Sequence, residues 1–278
     1  MLRLLFMLAL LAPNLAAADT VSFPSHDEML TGGGRTVLPA FLFKPEGAGP
    51  FPLVVASHSC AGLFQQQARN LNGHLAGWSQ RFVAEGWAVV LPDSFTPRGL
   101  RRVCEGGGEK ARPGRERAAD IWGAVAWAQT QTFLRPDRMA MIGWSHGGAT
   151  VLFTNGARSP QRPAKVAHEF REVIAFYPSC AAVAATPFDI AAPLAIFTGA
   201  DDDWTPAAPC RALAQRLPQI RYTEYPGAWH GFDTKGVPRT VLQGVNTPSR
   251  TATIGSNDAA REASVAATLD LLRAALRD

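Results

Sequence analysis

The chain has 278 residues, 47% of them apolar and 18% charged, a balance that excludes a disordered or low-complexity polypeptide. Its 27 Lys and Arg stand against 23 Asp and Glu, a net charge of +4; spread over this length, that leaves no electrostatic footprint for nucleic acid, and no such partner is expected. A chain of this size can bury a full core without a structural metal.

The N-terminus opens Met-Leu-Arg, runs apolar from Leu4 to Ala12, and reaches Ala16-Ala17-Ala18 before Asp19. A basic residue, a short apolar core and a small-residue site have the form of a secretory signal peptide over residues 1–18, leaving 19–278 as a single domain. The apolar run is about half the ~20 residues of a membrane span, so no stable span is expected; a buried first helix is the alternative. Secretion or export to a periplasm would place Cys60, Cys104, Cys180 and Cys210 in an oxidising compartment, where an even number of cysteines suggests disulfides. The strand order read below brings Cys60 with Cys104 and Cys180 with Cys210 to common rims, and those pairings are expected against the alternative of four buried thiols. There is no Cys-x-x-Cys pair to suggest a redox or zinc motif.

In the rest of the chain, extended segments are predicted at Val21–Phe23 and from Thr36 to Lys44. Short, near-continuous apolar runs follow at Leu53–Ser57, Ala88–Leu91, Met139–Gly143, Val173–Phe176, Leu194–Thr198 and Tyr222–Tyr225, as strands buried on both faces require. Between them, Leu71, Leu75, Trp78 and Phe82 share one helix face, as do Ile121, Val125 and Ala128, and then Cys210, Leu213 and Leu217. A last helix carries Val265, Leu269, Leu272 and Leu276 after the start signal Ser256-Asn257-Asp258. Strands alternating with helices predict an α/β fold with a mostly parallel central sheet covered by helices on both faces. Function then collects at the carboxyl ends of the strands. Two polar stretches, 105–117 and 236–255, read as solvated surface loops, with flaps over a cleft as the alternative.

The sharpest motif is Gly143-Trp144-Ser145-His146-Gly147-Gly148 directly after a predicted strand. Gly-x-Ser-x-Gly in that context is a nucleophile elbow, a tight strand-to-helix turn that lifts Ser145 above the sheet. A serine hydroxyl needs a base, and the base needs an orienting carboxylate, in the chain order Ser, acid, His. Asp201, Asp202 and Asp203 follow one strand and His230 follows the next; Asp202 is preferred among the three. The oxyanion donors are expected to be the backbone N–H groups of His146 and of Cys60, with Ser59 as the alternative to Cys60. His58 reads as a brace for its loop, and His26, His74 and His168 as surface or structural residues. No metal or other cofactor is implied, and the aspartate run lacks a second ligand cluster.

These residues resemble the dienelactone hydrolase family of the α/β-hydrolase fold, from about Pro39 to the last helix. The resemblance is carried by His58-Ser59-Cys60-Ala61-Gly62, Pro92-Asp93-Ser94-Phe95, the elbow, Asp202-Asp203-Trp204-Thr205-Pro206 and Tyr225-Pro226-Gly227-Ala228-Trp229-His230. It implies a nucleophile–histidine–aspartate triad at Ser145, His230 and Asp202. Dienelactone hydrolase proper has a cysteine nucleophile where this chain has Ser145. It also has a substrate-binding arginine four residues after the histidine, where Thr234 stands here. Arg98 is the remaining candidate for a substrate-binding cation, with a surface position as the alternative, and Trp144 and Trp204 are candidates for contacts in the cleft, with Phe64, Phe95 and Trp229 either lining it or packing beneath. The expected activity is an exported serine hydrolase acting on small-molecule carboxylic esters, lactones among them. A peptidase or acyl-peptide hydrolase and a non-catalytic binding protein on the same fold are the rival readings.

Overall fold

Val54, Val89, Val90, Met141, Ile142, Ile174 and Ile196 are fully removed from solvent, and a strand with no exposed face has to lie inside a sheet that is covered on both sides. The computed structural model describes residues 18–65 and 70–277, so the proposed signal peptide lies, but for Ala18, outside the described residues. In chain order the elements are β1 (Asp19–Pro24), α1 (Glu28–Thr31), β2 (Val37–Phe43), β3 (Phe51–Ser57), α2 (Gly73–Ala84), β4 (Ala88–Pro92), α3 (Ala118–Ala128), β5 (Leu134–Trp144), α4 (His146–Thr154), β6 (Glu172–Phe176), α5 (Ala181–Ala184), β7 (Leu194–Gly199), α6 (Ala207–Arg216), β8 (Arg221–Tyr225), β9 (Thr240–Gln243), β10 (Thr251–Ile254) and α7 (Asp258–Leu276).

Eight strands form one sheet in the order β1-β2-β4-β3-β5-β6-β7-β8. β1 and β2 are antiparallel to each other, β2 is antiparallel to β4, and every pair from β4 to β8 is parallel. The alternation of side chains along β3 divides the core. Leu53 and Val55 join the α3, α4 and α6 side, with Ile121, Leu152 and Leu213. Val54 and Ala56 join the α2 and α7 side, with Trp78, Phe82 and Leu272.

The expected strands are all present, most with a residue or two added. β5 starts earlier, at Leu134, because its first turn carries half-buried Arg135, Asp137 and Arg138, whose charges hide the strand from an apolar pattern. In α7 the buried stripe is Ala260, Ser264, Thr268, Leu272 and Leu276, while Val265 and Leu269 are only partly buried. Asn257 accepts a hydrogen bond from the Ala260 N–H and caps that helix, as its start signal implied. Both expected disulfides are present, Cys60–Cys104 and Cys180–Cys210.

The two polar stretches are not simple surface loops. Residues 105–117 end in one wide, π-type turn, Pro113–Arg117, whose Glu116 and Arg117 are buried. Residues 236–255 fold into the antiparallel hairpin β9–β10, with Thr253 N–H and Oγ1 donating to the two carboxylate oxygens of Asp203 at 2.7 and 2.8 Å. The two strands, Thr-Val-Leu-Gln and Thr-Ala-Thr-Ile, are only four residues each, too short for a periodic pattern to stand out from the polar stretch around them.

Candidate active site

β5 delivers the chain to Ser145, which sits at φ 55° and ψ −116° between the last strand residue and the first residue of α4. A non-glycine residue there is strained, and the surrounding contacts hold it. The flanking glycines are required by close approach: a Cβ on Gly143 would lie 2.1 Å from the Gly147 carbonyl oxygen, and one on Gly147 would lie 2.0 Å from that of Ser57. The elbow is thus pressed against the end of β3.

His230, on the loop after β8, directs Nε2 at the Ser145 hydroxyl (2.9 Å) and Nδ1 at Oδ2 of Asp202 (2.8 Å). All three side chains are buried. Of the three neighbouring aspartates, Asp202 alone reaches the histidine: Asp203 holds the hairpin, and Asp201 is exposed. Asp202 Oδ1 accepts from the Trp204 and Thr205 N–H groups (2.9 and 2.8 Å), and the Thr205 hydroxyl lies 3.0 Å from Oδ2. Those bonds fix the carboxylate, which fixes the Nδ1–H tautomer of His230 and leaves Nε2 free to accept a proton. The imidazole is held between Tyr177 and Trp204, whose ring centroids lie 4.6 and 4.8 Å away.

Ser145 and His230 open onto a cleft of ≈ 330 Å³. Ser59, Cys60 and Cys104 line one side, and Trp144, Trp204 and Leu75 supply apolar surface. The hairpin adds Leu242 and Ile254. The Cys60–Cys104 bridge and the Val103 N–H to Cys60 carbonyl bond (2.8 Å) brace the loop that carries the Cys60 amide. His146 is the first residue of α4, where a helix N–H has no acceptor of its own. His58 does brace its loop: its ring meets Phe95 edge-on and Nε2 accepts from the Ser94 N–H at 3.4 Å.

One expectation needs correction, and the structure places the aromatic residues whose role was left open. Arg98 does not face the cleft: it donates to Asp120 at 2.8 Å and to Asp27 at 3.1 Å in a buried cluster on the other side of its turn. Phe95 is buried beneath the site, and Trp229 carries the Arg239 guanidinium on its ring, 4.3 Å from the centroid, rather than lining the cleft. Phe64 pairs across a bridge with Leu71 and is likewise not a lining residue. His74, read as structural, lines the cleft, as does Arg102, whose guanidinium is paired with Glu105 at 2.5 Å.

The feature that spacing did not expose is Asp233, three residues after His230. Its buried carboxylate accepts from His74 Nε2 (2.7 Å), Trp78 Nε1 (2.9 Å), Trp144 Nε1 (3.1 Å) and the Tyr177 hydroxyl (2.7 Å). Burial alone would push this carboxyl up, but the adjacent His74 and the hydrogen bonds from His74, Tyr177 and Trp78 hold it below the usual carboxylate value. Burial and the neighbouring Asp233 charge push the Tyr177 hydroxyl well above its ordinary value, so it remains a donor. Asp233 therefore locks the cleft residues Trp144 and His74 and the ring that supports His230. Among the described residues no group of three His, Cys, Asp or Glu side chains is placed to hold a metal ion, and no helix is long and apolar enough to cross a membrane.

A parallel sheet covered on both faces, with a strained serine at the turn after its central strand, defines the α/β-hydrolase architecture. A sequence profile of the dienelactone hydrolase family matches residues 38–276, and the chain belongs to that family. A protein of Synechocystis sp. bearing the name "Putative carboxymethylenebutenolidase" is 25% identical over 231 residues, which cover 76% of this chain and 85% of that protein. Among solved structures, a dienelactone hydrolase-like promiscuous phosphotriesterase from metagenomic libraries superposes with a TM-score of 0.65 at 17% identity, covering 94% of this chain and 100% of the other. The acylaminoacyl peptidase of Pyrococcus horikoshii shares the fold at a TM-score of 0.62 and 14% identity, covering 95% of this chain but 42% of the peptidase.

Proposed function

We propose that this hydrolase of the dienelactone hydrolase family cleaves carboxylic esters through an acyl-enzyme, with Ser145 as nucleophile, His230 as general base and then acid, and Asp202 as the residue that orients the imidazole. The observation that carries the reading is the buried relay from Asp202 through His230 to Ser145, opening on a largely apolar cleft. Ser145 Oγ attacks the carbonyl carbon as its proton passes to His230 Nε2. The carbonyl oxygen becomes an oxyanion facing the backbone N–H groups of Cys60 and His146. His230 returns the proton to the leaving alcohol as the tetrahedral intermediate collapses to the acyl-serine, and water repeats the sequence to release the acid. Lactones stand beside linear esters as substrates, given the lactone-related name of the Synechocystis relative.

The test is intact mass after incubation with a fluorophosphonate, beside Ser145→Ala. One adduct on the wild-type protein and none on the variant is expected; no adduct on folded wild-type protein would overturn the hydrolase reading. The peptidase alternative has fold similarity behind it, and turnover of a peptide anilide in preference to a nitrophenyl ester would favour it. We further propose that residues 1–18 are a cleaved signal peptide and that the protein works in a periplasm or outside the cell, which the two disulfides support. A mature N-terminus at Asp19 after expression with export is the expected result.

A further inference from the structure

Arg117 stands at the junction of the π-type turn and α3, and is 1% exposed. A wide turn of this kind often marks a functional position, because it re-aims one side chain of an otherwise regular helix. Its guanidinium reaches both segments that supply the expected oxyanion donors. One terminal nitrogen donates to the His58 carbonyl oxygen at 2.7 Å and to Ser57 Oγ at 3.0 Å, at the start of the loop leading to Cys60. The other lies 2.5 Å from Nδ1 of His146, the residue after the nucleophile. A guanidinium has no lone pair to offer, so His146 Nδ1 must be the acceptor and its ring proton must sit on Nε2. Burial, and then the Arg117 charge, pull His146 down to about 3, so this ring is neutral and Arg117 is the charged partner. Burial also pulls Arg117 down, to about 9, which leaves it cationic at neutral pH.

This cation is buried on three neutral acceptors, with no carboxylate in a direct ion pair and its Nε without a partner among the described residues. A buried charge without a direct counter-ion is costly even with the Asp120 and Asp93 carboxylates acting on it from farther off, and a hydrocarbon side chain would fill the same space without that cost. The arrangement has a purpose if negative charge develops next to it during the reaction, when a fixed cation in a site of low polarity is worth more than in water. We propose that Arg117 is a positioning residue of the oxyanion hole in the hydrolase reading given above: it ties the β3 loop to the elbow and sets a positive charge behind the two amides.

The test compares the wild-type protein with Arg117→Met, which keeps the bulk without the charge, and Arg117→Lys, which keeps the charge without the fork. Each is assayed on a nitrophenyl acetate ester, and inhibition is measured with an alkyl trifluoromethyl ketone, which forms a tetrahedral adduct with an oxyanion, and with the matching methyl ketone, which does not. Removal of one direct oxyanion donor typically costs 10²–10³ in kcat, and an indirect one should cost less, so kcat is expected to fall about 10- to 100-fold in Arg117→Met with KM changed less than about threefold. The inhibition constant of the trifluoromethyl ketone should rise by the same factor as kcat/KM falls, while that of the methyl ketone stays put. Arg117→Lys should fall between the two, and it carries the test alone if Arg117→Met does not fold. Unchanged kcat in a folded variant, or equal weakening of both ketones, would overturn the proposal while leaving the hydrolase reading intact. Absence of turnover and of fluorophosphonate labelling in the wild-type protein would instead remove that reading and this inference with it.

Discussion

Replacing Asp233 tests whether the site is held by one buried carboxylate. Asp233→Asn can place its amide oxygen where Oδ2 accepts from His74, Trp78 and Trp144, and turn its NH₂ toward the Tyr177 hydroxyl, which rotates to accept. All four charge-assisted bonds then become neutral ones, each weaker by roughly 1 kcal/mol, offset in part by no longer burying a charge; a net loss of about 2 kcal/mol follows. Asp233→Ala leaves three buried donors, Trp78, Trp144 and Tyr177, without an acceptor at about 1–3 kcal/mol each, with half-buried His74 as a fourth, so at least ~3 kcal/mol is expected. That is a large share of a total stability of roughly 5–15 kcal/mol. Urea unfolding measures both, and indole fluorescence suits it because two of the donors are the tryptophans Trp78 and Trp144. For a domain of this size the Asn variant should melt about 4–8 °C lower. Because the Tyr177 ring meets the His230 ring edge-on, kcat should fall in the Asn variant as well. An Asp233→Ala protein within about 1 kcal/mol of wild type, at unchanged dependence on denaturant, would refute the reasoning.

Arg98→Met should destabilise by about 3–5 kcal/mol, because it leaves Asp27 and Asp120 buried without their cation, while KM for a folded variant stays unchanged; a raised KM at unchanged stability would return Arg98 to the cleft. Below pH ~6.5 the unfolded chain takes up protons that the buried imidazoles of His146 and His58 refuse. Stability should therefore fall with falling pH, by up to about 1.4 kcal/mol per unit for each histidine. Glu172, pushed up to about 7 by burial against the opposing Arg221 charge, acts the other way between about 4.5 and 7. Urea midpoints between pH 5 and 6 should accordingly show a shallower slope in His146→Asn and a steeper one in Glu172→Gln. Loop-closure entropy over sequence separations of 44 and 30 residues makes each disulfide worth about 4 kcal/mol. The double serine variant of Cys180 and Cys210 should lose stability but keep kcat, and that of Cys60 and Cys104 should lose both, since only the latter bridge walls the cleft.

The alternation of apolar strands with helical faces was enough to place the parallel sheet, because strands buried on both faces admit few polar residues and their pattern is local. The strained turn at Ser145 was legible for the same reason: glycines at 143 and 147 are demanded by contacts whose spacing in the chain is constant. Order along the chain then brought His230 and the aspartate loop to the same rim. Which of Asp201, Asp202 and Asp203 meets the imidazole was settled by the turn that points Asp202 inward and Asp203 at the hairpin, a matter of side-chain direction. Arg98 shows the limit most clearly. A cation near a cleft in sequence is equally able to face away from it, and here two carboxylates 71 and 22 residues distant draw it into the core. Asp233 and Arg117 could be recognised only when long-range packing had removed water from them, because a charged side chain reveals its partners through burial, and burial belongs to the tertiary structure.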